Sequence, residues 1–202
     1  MDKLREYIIK QRPILDANNK FAFFANAKVA QKSIAWGVVK RRCIMKNHGG
    51  RNYRKFLHTR DFNNMFKFTI VRNPFDRVVS AFHYLQEHHP ETISADENFR
   101  DFIKTRFRKD GVEIDRHFHH QHPNILFNGN IFVDYVGRFE NLKADWKMIA
   151  SKIDCSPRLP HTNKSKHKPF GEYYEDKECF EIVSKIYEKD IKLLGYSYKE
   201  GK

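Results

Sequence analysis

The stretch FKFTIVRNPFDRVVSAFHYL, residues 66–85, decides the fold class because a strand, a loop and a helix follow one another in it. The run FKFTIV (66–71) is apolar enough for a parallel strand that is buried on both faces. Asn73 can cap the helix that follows, Pro74 suits its first position, and Asp76 falls in its first turn. We therefore predict a strand over 66–71 and a helix that starts at Pro74.

The same order of elements recurs on both sides of this stretch. Upstream, an apolar strand is predicted over 21–25, followed by the loop NAKVAQKS (26–33) and by a helix. Downstream, IFVDYV (131–136) is a third strand candidate, and apolar residues recur at helical spacing over 97–107, 142–153 and 176–194. Such repetition predicts an α/β fold whose central, mainly parallel sheet is flanked by helices. The length of 202 residues suits a single domain, 1–202.

The loop at 26–33 has the layout of a phosphate-binding loop without its glycines. Asn26 and Gln31 stand where the pattern G-x-x-x-x-G-K-S has glycine. Lys28 and Lys32 supply positive charges, and Gln31 and Ser33 supply neutral donors at the start of a helix. Because loops at the carboxyl ends of parallel strands share one edge of a sheet, this loop and the RNPFDR loop are expected to face one crevice.

The second loop offers Arg72 at a strand end and Ser80 about two helical turns later. Arg72 can hold a phosphate with two hydrogen bonds, to which Ser80 can add a third. The alternative for Arg72 is a pair with an acid, and the alternative for Ser80 is a purely structural helix position. A nucleoside triphosphatase needs an acid for Mg²⁺ at such a strand end, where this chain has Arg72. The two loops therefore suit two separate phosphate groups held without a metal.

Composition limits the partners and the compartment. A net charge of +13 indicates an anionic partner, namely nucleic acid, an anionic glycan, a phosphorylated cofactor or a membrane surface, with general solubility as the alternative. Three cysteines at wide spacing indicate a reducing compartment and no disulfide scaffold. The sequence contains no run long and apolar enough for a membrane span. We expect a soluble, cytoplasmic protein, although a catalytic domain trimmed of a membrane anchor would look the same.

Several motifs together resemble those of the sulfotransferases that use 3′-phosphoadenosine 5′-phosphosulfate (PAPS), especially the carbohydrate branch, sulfotransferase family 2. AKVAQKS (27–33) is similar to the family's 5′-phosphosulfate loop, and FTIVRNPFDRVVSAF (68–82) is similar to its 3′-phosphate motif. DRHFHHQHPN (115–124) resembles a D-x-H-W-x-P-Q segment. DYVGRFENLKADW (134–146) resembles a Y-x-x-x-G-x-F-E-x-L element, and LPHTNKSKH (159–167) a late basic loop. The resemblance covers about residues 21–196.

The resemblance implies the phosphate-loop nucleotide-hydrolase-like fold of these enzymes and a set of cofactor contacts. Arg72 and Ser80 match the Arg and Ser that bind the 3′-phosphate. Phe139 matches an aromatic residue near the adenine, with core packing as the alternative. The remaining cofactor residues fall in the first loop and in the late basic loop, which would close over the 3′-phosphate or else stay solvated: Lys28, Ala30, Gln31, Lys32, Ser33, Lys164, Ser165 and Lys166.

Sulfuryl transfer also needs a base and a cation at the leaving group. Lys28 suits the cation, since it can face the charge that develops on the 5′-phosphate. His58 lies at a place similar to the family's candidate base, and a surface histidine is the alternative. By resemblance, Asp115, His117 and Gln121 belong to the acceptor side or its support, with core packing as the alternative. This placement makes His117 a second candidate base. The pattern H-x-H-H-x-H at 117–122 lacks an acid or a cysteine, so no metal site is expected.

These observations predict an enzyme that moves the sulfuryl group of PAPS to a hydroxyl, most simply on a carbohydrate, without binding nucleic acid. Two rival classes remain open. A basic nucleic-acid-binding module would explain the +13 charge, but the sequence has no recognition motif of that kind. A small-molecule kinase would need Mg²⁺ ligands and a phosphate loop with glycines, and the sequence supplies neither.

Overall fold

The computed structural model describes residues 3–16, 20–37, 43–44, 62–159 and 167–198. Two compact units are built from segments that alternate along the chain. Unit 1 comprises Met1–Asn26, Ala30–Val71 and Pro123–Thr162, and unit 2 comprises Ala27–Val29, Arg72–His122 and Asn163–Lys202. The expectation of a single domain stays a prediction.

Unit 1 contains the central sheet and a short hairpin. Their strands are β1 Ile14–Asp16, β2 Phe21–Phe24, β3 Cys43–Ile44, β4 Phe66–Val71, β5 Leu126–Phe127, β6 Asn130–Ile131 and β7 Tyr135–Arg138. The five described strands of the sheet lie in the order β3-β1-β2-β4-β7, and β5 pairs with β6 in the hairpin.

Most strands of the central sheet run in one direction. Strands β2 and β4 are parallel, as are β4 and β7, whereas β1 is antiparallel to both of its neighbours, β2 and β3. Only β1 therefore opposes the other four described strands. This arrangement confirms the predicted α/β class with a mainly parallel sheet.

Three helices complete the described part of unit 1. They are α1 Lys3–Gln11, α2 Gln31–Gly37 and α6 Leu142–Lys152. Asp145 of α6 accepts hydrogen bonds from the Tyr135 hydroxyl (3.0 Å) and from the Arg138 backbone N–H, which ties this helix to β7.

Aromatic side chains form the core of the sheet. Phe23 and Phe68, which are partners in the register of β2 and β4, stack with ring centroids 4.8 Å apart. At the end of β2, the buried Asn26 amide donates to Thr69 Oγ1 (3.1 Å) and to the Ile70 carbonyl (2.9 Å). Asn26 stands where a phosphate loop has its first glycine, and it fixes the start of the loop to β4.

Unit 2 is built around the long helix α3, Pro74–His88. Asn73 caps α3 as predicted, since its side chain accepts from the Phe75 N–H at 3.0 Å. The apolar face of α3 belongs to one core with Phe102, Phe118 and Tyr187. The other helices are α4 Phe99–Phe102, a π-helical turn Ile103–Phe107, α5 Arg108–Asp110, α7 Lys177–Ile186 and α8 Glu188–Leu194. Turns of 3₁₀ type occur in this unit at Gly111–Glu113, Arg116–Phe118 and Phe170–Tyr174, in unit 1 at Phe139–Asn141, and at His122–Asn124, where the chain passes from unit 2 to unit 1.

Two boundaries differ from the sequence prediction. The third parallel strand is Tyr135–Arg138 rather than 131–136, because Asn130–Ile131 pairs in the hairpin and the Phe132 N–H bonds to the Ile125 carbonyl. The helix predicted over 176–194 is divided at Tyr187 into α7 and α8. Its predicted end is confirmed, since Gly195 has the left-handed φ of 64° that ends α8. Within the described ranges, none of the helices combines the length and the apolar character that a bilayer crossing requires.

Candidate functional site

The first loop adopts left-handed backbone conformations without glycine. Lys28 has φ 65° and Ala30 has φ 61°. Residues with a Cβ disfavour this region by about 1–2 kcal/mol, and such strained positions cluster at functional sites. The conformation explains how a loop that lacks glycine can still turn sharply before a helix. The Lys28 side chain is half-buried, and its Nζ lies 4.1 Å from the centroid of the Tyr84 ring in unit 2.

The four predicted cofactor residues that follow belong to unit 1. The Ala30 carbonyl accepts from the Ile34 N–H at 3.1 Å and so closes the first turn of α2. Gln31 begins that helix, Lys32 is exposed, and Ser33 is 5% exposed. A cation and two neutral donors therefore lie in the first turn, as the sequence predicted, and their phosphate contacts stay predictions.

Arg72 is buried at the start of the second loop and is held from several sides. Its Nε donates to Asp76 Oδ2 at 2.8 Å, and its Nη1 donates to the Lys28 carbonyl at 3.0 Å. Its backbone N–H and C=O bond to the side-chain amide of Gln121, each at 2.9 Å. The pair with an acid that the sequence left open is thus present. The same guanidinium also fixes the backbone of the first loop at Lys28.

Arg77 organises the segment that carries the histidines. It is 1% exposed, and it donates to the carbonyls of His117 (3.1 Å), Phe118 (3.4 Å) and His119 (2.6 Å). A charge this deeply buried requires such compensation. The guanidinium also lies 5.3 Å from the ring centroid of Tyr187. Arg77 therefore fixes the backbone at His117 and orients that residue indirectly.

Asp115 and His117 form a hydrogen-bonded dyad. Asp115 Oδ1 lies 2.5 Å from the ring Nδ1 of His117 and accepts from its backbone N–H at 2.8 Å. The imidazole also packs against Tyr84, whose ring centroid is 4.8 Å from that of His117. Lys28, Tyr84, His117 and Asp115 therefore form a continuous row of contacts within unit 2, which we call the Lys28–Asp115 row.

The electrostatics of this row favour a neutral imidazole beside an ionised carboxylate. Burial lowers the pKa of His117, and the charges of Arg116 and Lys28 lower it further, against the opposing effect of Asp115. Burial would raise the pKa of Asp115, but the hydrogen bonds from the backbone and ring of His117 outweigh it and lower that pKa. An ionised carboxylate only accepts, so Nδ1 of His117 must carry the proton, which leaves the lone pair on Nε2.

Two of the other predicted residues in unit 2 are deeply buried. Ser80 is 1% exposed on α3, and Gln121 is fully buried. The Gln121 side chain bonds to the backbone of Arg72, while its own N–H donates to Asp190 Oδ2 at 2.8 Å. Gln121 thus supports Arg72, and its predicted contact with an acceptor stays a prediction, as does the phosphate contact of Ser80.

Some predicted residues lie elsewhere or outside the description. Phe139 is half-buried in unit 1, where it opens the 3₁₀ turn after β7. Its place beside the adenine stays a prediction. The candidate base His58 and the basic-loop residues Lys164, Ser165 and Lys166 lie outside the described residues.

Three residues of the site were not predicted from the sequence. Arg77 follows Asn73 by four residues and Tyr84 follows Arg77 by seven, so helical spacing within α3 could have indicated both. Asp190 had no local signal, since 68 residues separate it from His122.

Comparison with known proteins identifies the family of this chain. A model of the sulfotransferase family matches residues 14–197, which is most of the chain. An uncharacterized protein of Archaeoglobus fulgidus is 28% identical over 98 residues, which cover 48% of this chain and 75% of that protein. No solved structure gives a significant match. The chain belongs to the sulfotransferase family, which confirms the predicted family and fold and identifies a transferase.

Proposed function

We propose that this sulfotransferase moves the sulfuryl group from PAPS to a hydroxyl group of a carbohydrate acceptor. The observation that carries the proposal is the Lys28–Asp115 row, in which a cation and a neutral, carboxylate-oriented imidazole occur in one continuous set of contacts. Sulfuryl transfer to a hydroxyl requires both groups, since a proton must leave the acceptor while negative charge grows on the leaving group.

The donor set of unit 2 fits the anionic groups of PAPS. Lys28 and Arg72 are cations, and the Arg72 guanidinium reaches the Lys28 carbonyl at 3.0 Å, so the two charged residues are near neighbours. The pair with Asp76 orients the guanidinium in a fixed plane, which favours recognition of a phosphate. When bound, PAPS supplies the sulfuryl group and leaves as 3′,5′-ADP.

His117 is the base in this proposal. With its Nδ1 proton directed at Asp115, the Nε2 lone pair is available to take the proton of the acceptor hydroxyl. The resulting imidazolium is stabilised by the Asp115 carboxylate, whose low pKa keeps it ionised. His58 remains the alternative base, and separate alanine variants of the two histidines distinguish the two assignments.

Lys28 stabilises the charge of the leaving group. The face of Tyr84 positions its ammonium through a cation–π contact, and the left-handed φ of 65° places the residue in a tightly turned loop. Because this interaction strengthens only as charge develops, Lys28 contributes to turnover more than to binding. The acceptor would bind next to His117, and the net charge of +13 suits an anionic carbohydrate.

A transfer assay tests this proposal. The wild-type protein, incubated with ³⁵S-labelled PAPS and a panel of sulfated and unsulfated glycans, should label at least one glycan on oxygen. His117→Ala should reduce the rate by roughly 10²–10⁴-fold if His117 is the base. His119→Ala serves as the matched control, because His119 belongs to the same segment and is exposed.

Two outcomes would change the proposal. If His117→Ala is fully active and His58→Ala is inactive, the base is His58. If the wild-type protein labels no glycan of the panel, the proposed transfer to a carbohydrate is wrong.

A further inference from the structure

A second cluster of titratable side chains in unit 2 has no part in the proposed transfer. His120, His122 and Asp190 each offer one nitrogen or oxygen atom, and these atoms lie within 4.8 Å of one another. The two histidines come from the segment after the Arg116–Phe118 turn, and Asp190 comes from the first turn of α8.

Asp190 is a carboxylate whose orientation is fixed by the backbone. It is fully buried, and it accepts from the N–H of Gln121 (2.8 Å) through Oδ2 and from the N–H of His122 (2.9 Å) through Oδ1. Its Oδ1 also lies 2.7 Å from Nδ1 of His122. Ligands of protein metal sites are commonly held in this way by hydrogen bonds from surrounding groups.

In the described part of the chain, the ring nitrogen Nδ1 of His120 lacks the hydrogen bond that a buried polar atom usually makes. It is buried, yet it has no hydrogen-bond partner among the described residues. The same atom lies 3.9 Å from Asp190 Oδ2, which is too far for a hydrogen bond. Buried polar atoms in folded proteins nearly always have a partner, and a bound ion can take that place where no protein group does.

We propose that His120, His122 and Asp190 bind a divalent transition-metal ion, of which Zn²⁺ is the best fit. In a tetrahedral site with bonds of about 2.0–2.1 Å, neighbouring ligand atoms lie roughly 3.3 Å apart. His122 Nδ1 lies 2.7 Å from Asp190 Oδ1, which is shorter than this value, and His120 Nδ1 lies 3.9 Å from the other carboxylate oxygen, Oδ2, which is longer. Since these separations involve different oxygens, the two rings would have to move until both nitrogens face one oxygen of the fixed carboxylate, where the ion would replace the hydrogen bond between His122 and Asp190.

The ligand set selects the class of ion. Two imidazoles and a carboxylate are a ligand set of Zn²⁺ and also of Fe²⁺, whereas Mg²⁺ and Ca²⁺ prefer oxygen ligands alone. The side chains of His120 and His122 are 30% and 17% exposed, so an ion can approach the cluster along these rings, and a water molecule would be its fourth ligand.

The ion would act as a structural clamp in unit 2. Gln121 lies between the two histidine ligands, and its side chain holds the backbone of Arg72. Fixing His120 and His122 to α8 therefore also fixes Gln121 and, through it, Arg72. This inference does not depend on the proposed function, because it concerns metal binding and stability rather than sulfuryl transfer.

The proposed metal site differs from the expectation drawn from the sequence. The pattern H-x-H-H-x-H lacks an acid, and for that reason the sequence predicts no metal. The fold supplies the acid from a residue 68 positions away from His122.

Zinc binding by variants of the full chain tests the proposal. The protein is treated with a chelator, dialysed, and titrated with Zn²⁺ while heat release and melting temperature are recorded. His120→Ala is the informative variant, since no hydrogen bond of His120 Nδ1 to the described residues is lost with it. His119→Ala is the matched control, because His119 is the exposed neighbour in the same segment and lies outside the cluster.

We expect wild type and His119→Ala to bind one Zn²⁺ and to melt at a higher temperature with it. His120→Ala should bind Zn²⁺ at least about 100-fold more weakly, because even groups that only orient a metal ligand contribute roughly 10–100-fold. Asp190→Asn should lose binding in the same way. Equal zinc affinity in His120→Ala and wild type would overturn the proposal. So would a wild-type protein that binds no zinc, in which case Asp190 is only a hydrogen-bonded anchor for the loop.

Discussion

The dyad of Asp115 and His117 yields the sharpest prediction, through the substitution Asp115→Asn. An asparagine side chain can still accept from the backbone N–H of His117, a bond of 2.8 Å in the native structure, so the turn at Arg116–Phe118 keeps its cap. The substitution removes the negative charge beside Nδ1, at 2.5 Å, and little else. It therefore separates the electrostatic role of Asp115 from its structural role.

We expect Asp115→Asn to lower kcat. Without the carboxylate, the imidazolium that forms when His117 takes the acceptor proton is no longer stabilised by an adjacent charge. A charge-assisted hydrogen bond contributes about 1.5–3 kcal/mol, and each 1.36 kcal/mol of barrier is tenfold in rate, so we expect kcat to fall by roughly 10–150-fold. The Kd for 3′,5′-ADP should stay within about twofold, because Asp115 bonds to His117, which is not one of the proposed phosphate ligands.

The pH dependence of kcat should change in a definite direction. The pKa of His117 is lowered from 6.5 by burial, while Asp115 raises it. The acid limb of the kcat profile should therefore lie below pH 6.5 in wild type and should move to lower pH in Asp115→Asn, because the group that favours the protonated form is gone. The assay is the initial rate of labelled sulfate transfer from about pH 4.5 to 8.5, with Asp110→Asn, an exposed acid of the same unit, as the control. Unchanged kcat together with an unchanged acid limb would refute the assignment of His117 as the base.

Three further predictions follow from the same contacts. Lys28→Met should reduce kcat far more than it weakens 3′,5′-ADP binding, because the charge acts on the leaving group. The control Lys109→Met, at an exposed lysine of unit 2, should change neither kcat nor binding. A Lys28→Met protein that loses only affinity would contradict the role of Lys28. Ala30→Gly should raise the free energy of unfolding in urea by about 1 kcal/mol, because it relieves a φ of 61°. The control Ala144→Gly, at an exposed position of α6, should lower the free energy of unfolding by about as much. A destabilised Ala30→Gly protein would show that the backbone at residue 30 is unstrained. Burial lowers the pKa of both His83 and His117 from 6.5, so the unfolded chain binds more protons than the folded one. The free energy of unfolding should therefore fall as the pH drops below about 7. A melting temperature that increases as the pH is lowered from 7 to 5, measured with chelator present, would contradict this.

Local sequence signals were sufficient for the elements that position the site. The strand Phe66–Val71 and the cap at Asn73 agree with the structure, because a continuous apolar run and an Asn-Pro start are determined by neighbouring residues. The third parallel strand was placed too early. IFVDYV forms one apolar run, yet its first residue pairs with β5 and only its last two residues join the sheet.

The sequence alone did not predict the long-range contacts of the site. The support of Arg72 by Gln121 spans 49 residues, and the contact of Arg77 with His119 spans 42. Nothing in either segment specifies the other, since a buried glutamine and a buried arginine have many possible partners. The resemblance to sulfotransferases placed His117 and Asp115 on the acceptor side. Their hydrogen bond, which determines the tautomer of His117, became visible only in the fold.

The most direct test of the central claim is the melting temperature of the protein with 3′,5′-ADP, compared with ADP that lacks the 3′-phosphate. A ligand that binds only the folded state at about 100 times its Kd stabilises it by about 2.7 kcal/mol. We predict a saturable increase with 3′,5′-ADP, a much smaller one with ADP, and the loss of this difference in Arg72→Lys, whose ammonium cannot form two parallel bonds to a phosphate. Equal shifts with both nucleotides, or no shift with either, would contradict the account of this protein as a PAPS-dependent sulfotransferase.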